Sequence, residues 1–368
     1  MARPTVAVLF GGRSSEHGVS CVTASGVLRA IDRSRWDVLA VGIARDGQWT
    51  LANDDPDDWR IHEGELPSVV GGGVTVLPPL SAADPMWRVL REGGAVEGGA
   101  VEDLAAVDVV FPLLHGPWGE DGTVQGALDL VDVRYVGSGV LASALGMDKA
   151  FSKMAFRAAG LPVAECVVVE GDGAVALLRA EIEALRLPVF VKPARAGSSQ
   201  GVSRVSSWDG LDAALASALK HDPKVLVEEG ITGREIECAV LGTPDGVRAS
   251  QPGEIVTGGD HEFYDYEAKY FDEASVTLAC PTELPPGVAE VVRDYALRAF
   301  AAIGGEGIAR ADMFVREDGS VVVNEINTMP GFTPFSMYPR MWEAEGLDYP
   351  ALVDTLLTTA IERPVGLR

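Results

Sequence analysis

The sequence is poor in what a metal-cage protein, a disulfide scaffold or a membrane protein would need. Its four cysteines, Cys21, Cys166, Cys238 and Cys280, show no paired spacing. Neither a disulfide framework nor a zinc knuckle is indicated, and buried free thiols are expected. The five histidines include no pair at metal-ligand spacing, which argues against a zinc hydrolase. Nowhere do about 18 apolar residues run together, and the apolar stretch in the opening MARPTVAVLFGG is too short for the core of a signal peptide. A cytoplasmic protein without membrane partners is therefore expected. Basic residues are scarce, 30 Lys and Arg against 54 Asp and Glu, leaving a net charge of −24. Nucleic acid is a poor partner for such a chain, because phosphate backbones require a concentrated basic surface. The segment VAVLFGGRSSEHGVS also lacks the G-x-G-x-x-G spacing of dinucleotide-binding folds.

What is present is enough apolar sequence for several cores: 368 residues, 47% of them hydrophobic. The first part alternates TVAVLF, the helical VTASGVLRAID, WDVLAVGIA, VDVVFPLL and TVQGALDLVD, a rhythm that predicts a mostly parallel sheet with crossover helices. Between them NDDPDDW at 53–59 and the doubled GGAVEGGAVE at 93–102 read as a surface insertion. A boundary falls near Gly137-Ser138-Gly139, before a helix around MDKAFSKMAFRAAGLP that Gly160 and Pro162 end. Strands PVFVKP, GVSRV and VLVEE make a second α/β unit, with a helix between the last two. From Gly230, strands REIECAVLG and EIVTGG, the helix GVAEVVRDYALRAFAAI and a hairpin make a third. The expected organisation is an α/β protein of three lobes, 1–138, 139–229 and 230–368, around a central cleft.

The hairpin RADMFVREDGSVVVNEINTMPGF carries the chemistry. If Asp318 and Gly319 form a two-residue turn, Asp312 faces Glu325 and Arg310 faces Asn327. All four then project from one sheet face, with Phe314 and Val323 beside them. Opposed carboxylates repel by roughly 4 kcal/mol at about 4 Å if the effective dielectric is near 20, so a cation is expected between them. Asp312, Glu325 and Asn327 are hard oxygen ligands of the kind magnesium uses alongside substrate phosphates, and Arg310 can stabilise developing negative charge. The alternative is an Arg–Asp and Glu–Asn polar patch on an exposed face.

Other segments are ambiguous when taken singly. VFVKPARAGSSQGVSRV puts Lys192 at a strand end before a glycine-serine loop, either a phosphate cradle or a hairpin with a solvated lysine; the order is wrong for a Walker loop. Glu228 and Glu229 end the strand VLVEE and can serve an adenine edge and a ribose, or simply be solvated. Glu16, at the tip of the first strand, can pair with an ammonium group or favour a helix N-terminus. His115 ends a strand where open parallel sheets bind ligands. The loop HEFYDYEAKYF, 261–271, is a packed surface loop or a lid.

Taken in order, GGRSSEHGVS, LLHGPWGEDGTVQG, SGVLASALGMDK, VKPARAGSSQGVS, FYDYEAKY, ARADMF and NEINTMPGFTPFSMYP resemble the D-alanine–D-alanine ligase family of the ATP-grasp superfamily. They span residues 6 to 339. The resemblance implies an ATP-grasp fold with a Rossmann-like N-terminal domain, and ATP-dependent joining of two D-alanine molecules through an acyl phosphate, for peptidoglycan synthesis. It gives Lys149, Lys192, Glu228, Glu229, Glu235, Lys269 and Asn324 to ATP. Asp312, Glu325 and Asn327 would hold two magnesium ions, which manganese could replace. Glu16 would take the ammonium of the first D-alanine, with His115 nearby. Arg310 and the Gly331 N–H would form the oxyanion site. Lys269, Ser336 and the Met337 N–H would serve the second D-alanine, while Ser198 and Tyr270 would link to Glu16 when the loop closes. Relatives form homodimers, so one is expected. The chain departs from the family pattern at Gly18, where relatives commonly carry glutamate. D-lactate or D-serine as second substrate, and a non-catalytic nucleotide-binding module, are the rival readings. Lactate-using relatives carry a different loop with a histidine, and FYDYEAKY has none.

Overall fold

Apolar runs bounded by glycine turns become the strands of three sheets in the computed structural model, which describes residues 2–91, 100–171, 174–257 and 276–366. Thr5–Gly11 is the centre of the first sheet, buried along almost its whole length, as a strand covered on both faces must be. It pairs in parallel with Asp37–Ile43 and Val109–Pro112, and Arg134–Tyr135 extends the sheet in parallel beyond the latter. Helix His17–Ala30 packs on the central strand.

The expectation of a mostly parallel sheet needs correction. Beyond Asp37–Ile43 the sheet continues through Trp49–Leu51, Val74–Leu77, Met86–Arg91 and Ala100–Ala106, each pairing antiparallel with its neighbour. The links from Ile43 to Trp49 and from Leu77 to Met86 are too short for a crossover helix, which needs about a dozen residues, so hairpins form instead. Of the two stretches read as an insertion, 53–59 lies outside the sheet, and among the described residues of 93–102 only residues 100–102 join it. Pro56–Trp59 forms a 3₁₀ turn whose Trp59 ring packs edge-on against Phe10 at 4.6 Å.

The second sheet has the strand order Ser203–Val205, Val189–Pro193, Lys224–Glu229, Cys166–Glu170, all antiparallel. In the third, Val276–Ala279, Gly253–Thr257, Arg234–Thr243, Ile308–Val315 and Val321–Asn327 lie side by side, also antiparallel, with Gly246–Ala249 pairing on Arg234–Thr243. Helix Lys149–Ala158 and helix Val288–Ile303 back this sheet. The chain then returns: Met337–Glu343 and Tyr349–Glu362 bury Tyr338, Trp342, Leu352 and Leu356 in one core with Val6, Phe10 and Phe111 of the first sheet. Both ends of the sequence therefore build the same core. All four cysteines are free thiols, Cys21 and Cys238 buried and Cys166 and Cys280 only partly so. No helix among the described residues is long and apolar enough to cross a membrane.

The hairpin differs from expectation at its tip and agrees at its base. Arg316 N–H donates to Ser320 O and Gly319 N–H to Arg316 O, both at 2.9 Å, so Glu317, Asp318 and Gly319 form a three-residue turn with Gly319 left-handed at φ +81°. Met313 consequently pairs with Val323. A one-residue shift follows, and Asp312 pairs with Glu325 and Arg310 with Asn327, as the two-residue turn predicted. Asn324 is the extra residue of this bulge. Val323, expected beside Phe314 on the site face, is instead fully buried in the core behind the sheet.

Gly18 has a packing reason. A Cβ there would lie 2.6 Å from Leu66 Cβ, on a segment that His17 holds by accepting the Val69 N–H at 2.9 Å. Gly18→Ala would gain about 1 kcal/mol of helix propensity on an open face. Here the overpacking, about 1–3 kcal/mol, is expected to exceed that gain. Urea unfolding should show a net loss in the wild-type background and none against Leu66→Gly; equal effects in both would exclude the contact as its cause.

Candidate active site

The three sheets enclose a cleft of about 860 Å³. On one wall, antiparallel pairing of Val189–Pro193 with Lys224–Glu229 brings Lys192 and Glu228 to the same face. Lys192 Nζ donates to Glu228 Oε1 at 2.8 Å, and Lys153 Nζ lies 2.8 Å from the other oxygen. Burial alone would raise the Glu228 carboxyl, but the two ammonium groups prevail and hold it below its ordinary value. Burial works against Lys192 too, yet Glu228 holds that amine above its ordinary value; at Lys153 burial wins and lowers it. Lys149, first residue of its helix, reaches Ala196 O at 2.9 Å and lies 3.3 Å from Glu325 Oε2. Glu229 accepts the Glu165 N–H at 3.4 Å, and Glu235 is exposed where it lines the cleft.

The hairpin forms the floor. Register places Glu237, Asp312 and Glu325 directly opposite one another across three neighbouring strands. Arg310 and Lys149 are the cations that meet these carboxylates. Arg310 grips Asp312 through two bonds of 2.7 Å and lies 3.1 Å from Glu237 Oε1. Asp312 and Glu237 hold its guanidinium well above its ordinary pKa against the effect of burial. Asn327 Nδ2 donates to Asp312 at 2.9 Å, while Asn324 lines the cleft and its carbonyl accepts from Lys153 at 3.3 Å. Among the described residues no three His, Cys, Asp or Glu side chains converge as a self-contained metal cage. Two carboxylates and an amide are hard, incomplete oxygen donors, a set that fits magnesium completed by substrate phosphates.

At the other end, Glu16 occupies the N-cap position of its helix but makes no side-chain capping bond. Its carboxylate accepts from Ser198 Oγ at 2.5 Å, and a Cβ on Gly116 or Gly197 would come within 2.8 or 3.0 Å of it. Ser198 and Ser199 are both left-handed, at φ +49° and +55°, so the loop that presents Ser198 is strained. His115 is buried; Nδ1 lies 3.2 Å from Met329 O and Nε2 3.2 Å from Thr23 Oγ1. Gly331, Ser336 and Met337 line the cleft, and Ser336 Oγ accepts the Thr333 N–H at 3.1 Å. Lys269 and Tyr270, with the rest of the 261–271 loop, lie outside the described residues.

Comparison with known proteins identifies this architecture. Models of the D-ala D-ala ligase N-terminus and C-terminus match residues 5–138 and 155–358. The chain belongs to the D-alanine–D-alanine ligase family. It is 54% identical to the D-alanine–D-alanine ligase of Kineococcus radiotolerans, covering all of this chain and 99% of that protein, and 54% identical to that of Mycobacterium tuberculosis, covering 99% and 97%. Among solved structures it resembles the VanG D-Ala:D-Ser ligase of Enterococcus faecalis, with 34% identity, a TM-score of 0.82 and coverage of 98% and 100%. It also resembles the D-alanine–D-alanine ligase of Coxiella burnetii, with 32% identity, a TM-score of 0.82 and coverage of 99% and 95%.

Among the charged residues of this ligase fold not singled out from the sequence, Glu120 and Glu237 line the cleft and Lys153 is buried behind its wall. Lys153 follows Lys149 by one helical turn and so shares its face, a signal that was available. Glu237 follows Glu235 by two residues on a strand, an equally legible one. Glu120 sits in an irregular loop, where no periodicity points to it. Its carboxyl is pushed up from 4.5 to about 8, first by burial and then by Glu16.

The folded protein therefore keeps a proton that the unfolded chain releases. Glu120's contribution to stability is fully present below pH 4.5 and lost as pH rises towards 8. Glu120→Gln should flatten the fall in unfolding midpoint between about pH 5 and 8. A midpoint profile parallel to wild type would show that Glu120 is ionised throughout.

Proposed function

We propose that the protein joins two D-alanine molecules into D-alanyl-D-alanine, converting ATP to ADP and phosphate, as a cytoplasmic homodimer serving peptidoglycan synthesis. The observation that carries the reading is the floor of the cleft, where Glu237, Asp312 and Glu325 are registered across three strands around Arg310, facing a wall that presents Lys149 and Lys192. Relatives that share more than half of its residues over their full length carry the D-alanine–D-alanine ligase name. The same reading divides the chain into a substrate-binding part, 1–138, a central part, 139–229, and a catalytic part, 230–368.

ATP lies between the second and third sheets in this reading, its phosphates against Lys149, Lys192 and Lys269, with Asn324 at the bulge beside them. Its adenine and ribose take Glu228, Glu229 and Glu235. Two magnesium ions held by Asp312, Glu325 and Asn327 would neutralise the phosphate oxygens when bound. Glu16 takes the ammonium of the first D-alanine, whose carboxylate attacks the γ-phosphorus; a P–O bond forms, the β–γ bridge breaks and ADP leaves. The deprotonated amine of the second D-alanine, held through its carboxylate by Ser336 and the Met337 N–H, attacks the acyl carbon. Arg310 and the Gly331 N–H receive the oxyanion, and the C–O bond to phosphate then breaks as the amide forms. Tyr270 and Ser198 tie the closing loop to Glu16. Holding two small substrates in line and excluding water can supply about 7–11 kcal/mol of the barrier reduction.

The similarity to a D-Ala:D-Ser ligase makes the acceptor the part of the reading to test first. ADP release and product chromatography with D-alanine, L-alanine, D-serine and D-lactate should give D-alanyl-D-alanine as the main product at about pH 7–9, and negligible ester even at about pH 6. Mainly D-alanyl-D-serine or D-alanyl-D-lactate from equimolar mixtures would overturn the acceptor assignment. Glu325→Gln is expected to abolish ADP release while circular dichroism stays unchanged, because it removes charge shared by both metals. Activity within a few-fold of wild type at saturating magnesium would remove Glu325 from the metal site.

A further inference from the structure

Met329 stands two residues before Gly331, and both of its backbone polar groups are taken by side chains of one loop that leaves the first sheet. Its N–H donates to Glu120 Oε1 at 3.2 Å, and its carbonyl lies 3.2 Å from His115 Nδ1. The far ends of those side chains are themselves tied: Glu120 Oε2 accepts the Gly116 N–H at 2.6 Å, and His115 Nε2 pairs with Thr23 Oγ1 at 3.2 Å. A carbonyl only accepts, so Nδ1 carries the ring proton and Nε2 accepts from the threonine hydroxyl. Burial, which lowers the histidine below its ordinary pKa, favours that neutral form.

The next residues transmit the position of this peptide with little slack. Pro330 has a fixed φ and no N–H. On the other side of Gly331, Phe332 is fully buried, its ring 5.8 Å from Phe111 and 5.4 Å from Tyr349, and its carbonyl accepts the Tyr349 hydroxyl at 2.7 Å. The Gly331 N–H is thus held between a clamped peptide upstream and an aromatic anchor downstream.

We propose that His115 and Glu120 are positioning residues for ligation: together they clamp the Met329 peptide and so aim the Gly331 N–H at the oxyanion. This rests on the reading of Gly331 as an oxyanion donor. The role differs from a substrate contact by His115, since both ring nitrogens are already engaged within the protein. Losing one oxyanion donor costs about 10²–10³ in turnover, and misplacing a group by about 1 Å costs about 10², which sets the size of the effect.

The test uses the full chain with ATP, magnesium and D-alanine. His115→Phe keeps a ring but no donor, whereas His115→Asn keeps an N–H near the place of Nδ1. The phenylalanine variant should lose about 30–100-fold in kcat with KM for D-alanine within about threefold, and the asparagine variant should return to within about fivefold of wild type. Glu120→Gln, which can accept through only one atom, should lose kcat by about 10–100-fold, and the double variant with His115→Phe should fall little below the worse single one, because both act on one peptide. Hydrogen exchange of the unliganded protein supplies a reading independent of turnover: one of the two amides that Glu120 accepts, Met329 or Gly116, should exchange at least about tenfold faster in Glu120→Gln. A raised KM for D-alanine at unchanged kcat in His115→Phe, no rescue by His115→Asn, fully multiplicative losses, or unchanged exchange at both Met329 and Gly116 would each overturn the clamp. If His115→Phe does not fold, exchange in Glu120→Gln and the kcat of His115→Asn decide. Absence of D-alanine-dependent ADP release in the wild type would sink the proposed activity instead, and the exchange measurement would still judge the clamp.

Discussion

The rest of the site depends on one cross-strand row of carboxylates. Glu237, Asp312 and Glu325 meet across three adjacent antiparallel strands, an arrangement that would destabilise the sheet if nothing cationic entered it. Arg310 answers two of them and Lys149 the third. The row therefore defines both the acidic floor of the cleft and the place where cations converge, Arg310 from a strand of the same sheet and Lys149 from the start of a helix. The N-cap of helix Lys149–Ala158, where Asp148 accepts the Ala150 and Phe151 N–H groups, aims Lys149 at the hairpin.

A protein of net charge −24 can hold a nucleotide only by concentrating its few cations. Lys149, Lys153, Lys192 and Arg310 each meet a carboxylate in this cleft. Buried ion pairs add little to stability because desolvation offsets their attraction. Their value here is positional, since each pair fixes a side chain at or behind the cleft wall. Lys153 shows the limit of that arrangement: burial lowers its pKa even with Glu228 beside it.

The shared core explains how the loops around the cleft keep their relative positions. The returning helix Tyr349–Glu362 buries its apolar face beside the first sheet, while Phe332 and Tyr338 of the preceding segment pack at 5.9 Å. Loops from the first and last parts of the chain therefore meet over one set of buried aromatic rings. The Leu66 contact with Gly18 and the His17 bond to Val69 extend the same logic to the rim, where the segment around residues 66–69 is fastened to the first helix.

The sequence by itself placed the candidate site residues: Glu16 and Lys192 stand near glycine turns after strands, and period-two alternation brings Asp312, Glu325 and Asn327 to one face of the hairpin. It also determined which residues face one another in the hairpin, though through a compensation that sequence reasoning does not see. The turn is one residue longer than the Asp318-Gly319 dipeptide suggests, and the bulge at Asn324 restores the register before Asp312 is reached. Only the tertiary structure decided the rest. The antiparallel direction of Trp49–Leu51 and of Met86–Arg91 followed from short links, and Val323 went into the core because the bulge turned it away from the cleft. Lys153 and Glu120 gained their environments where separate parts of the chain meet, and Glu237 gained its own from Asp312 and Arg310 on the neighbouring strand. Local patterns report what a residue can do within its own element, whereas burial and charge partners are set by elements far away in sequence, and those forces decide protonation and position.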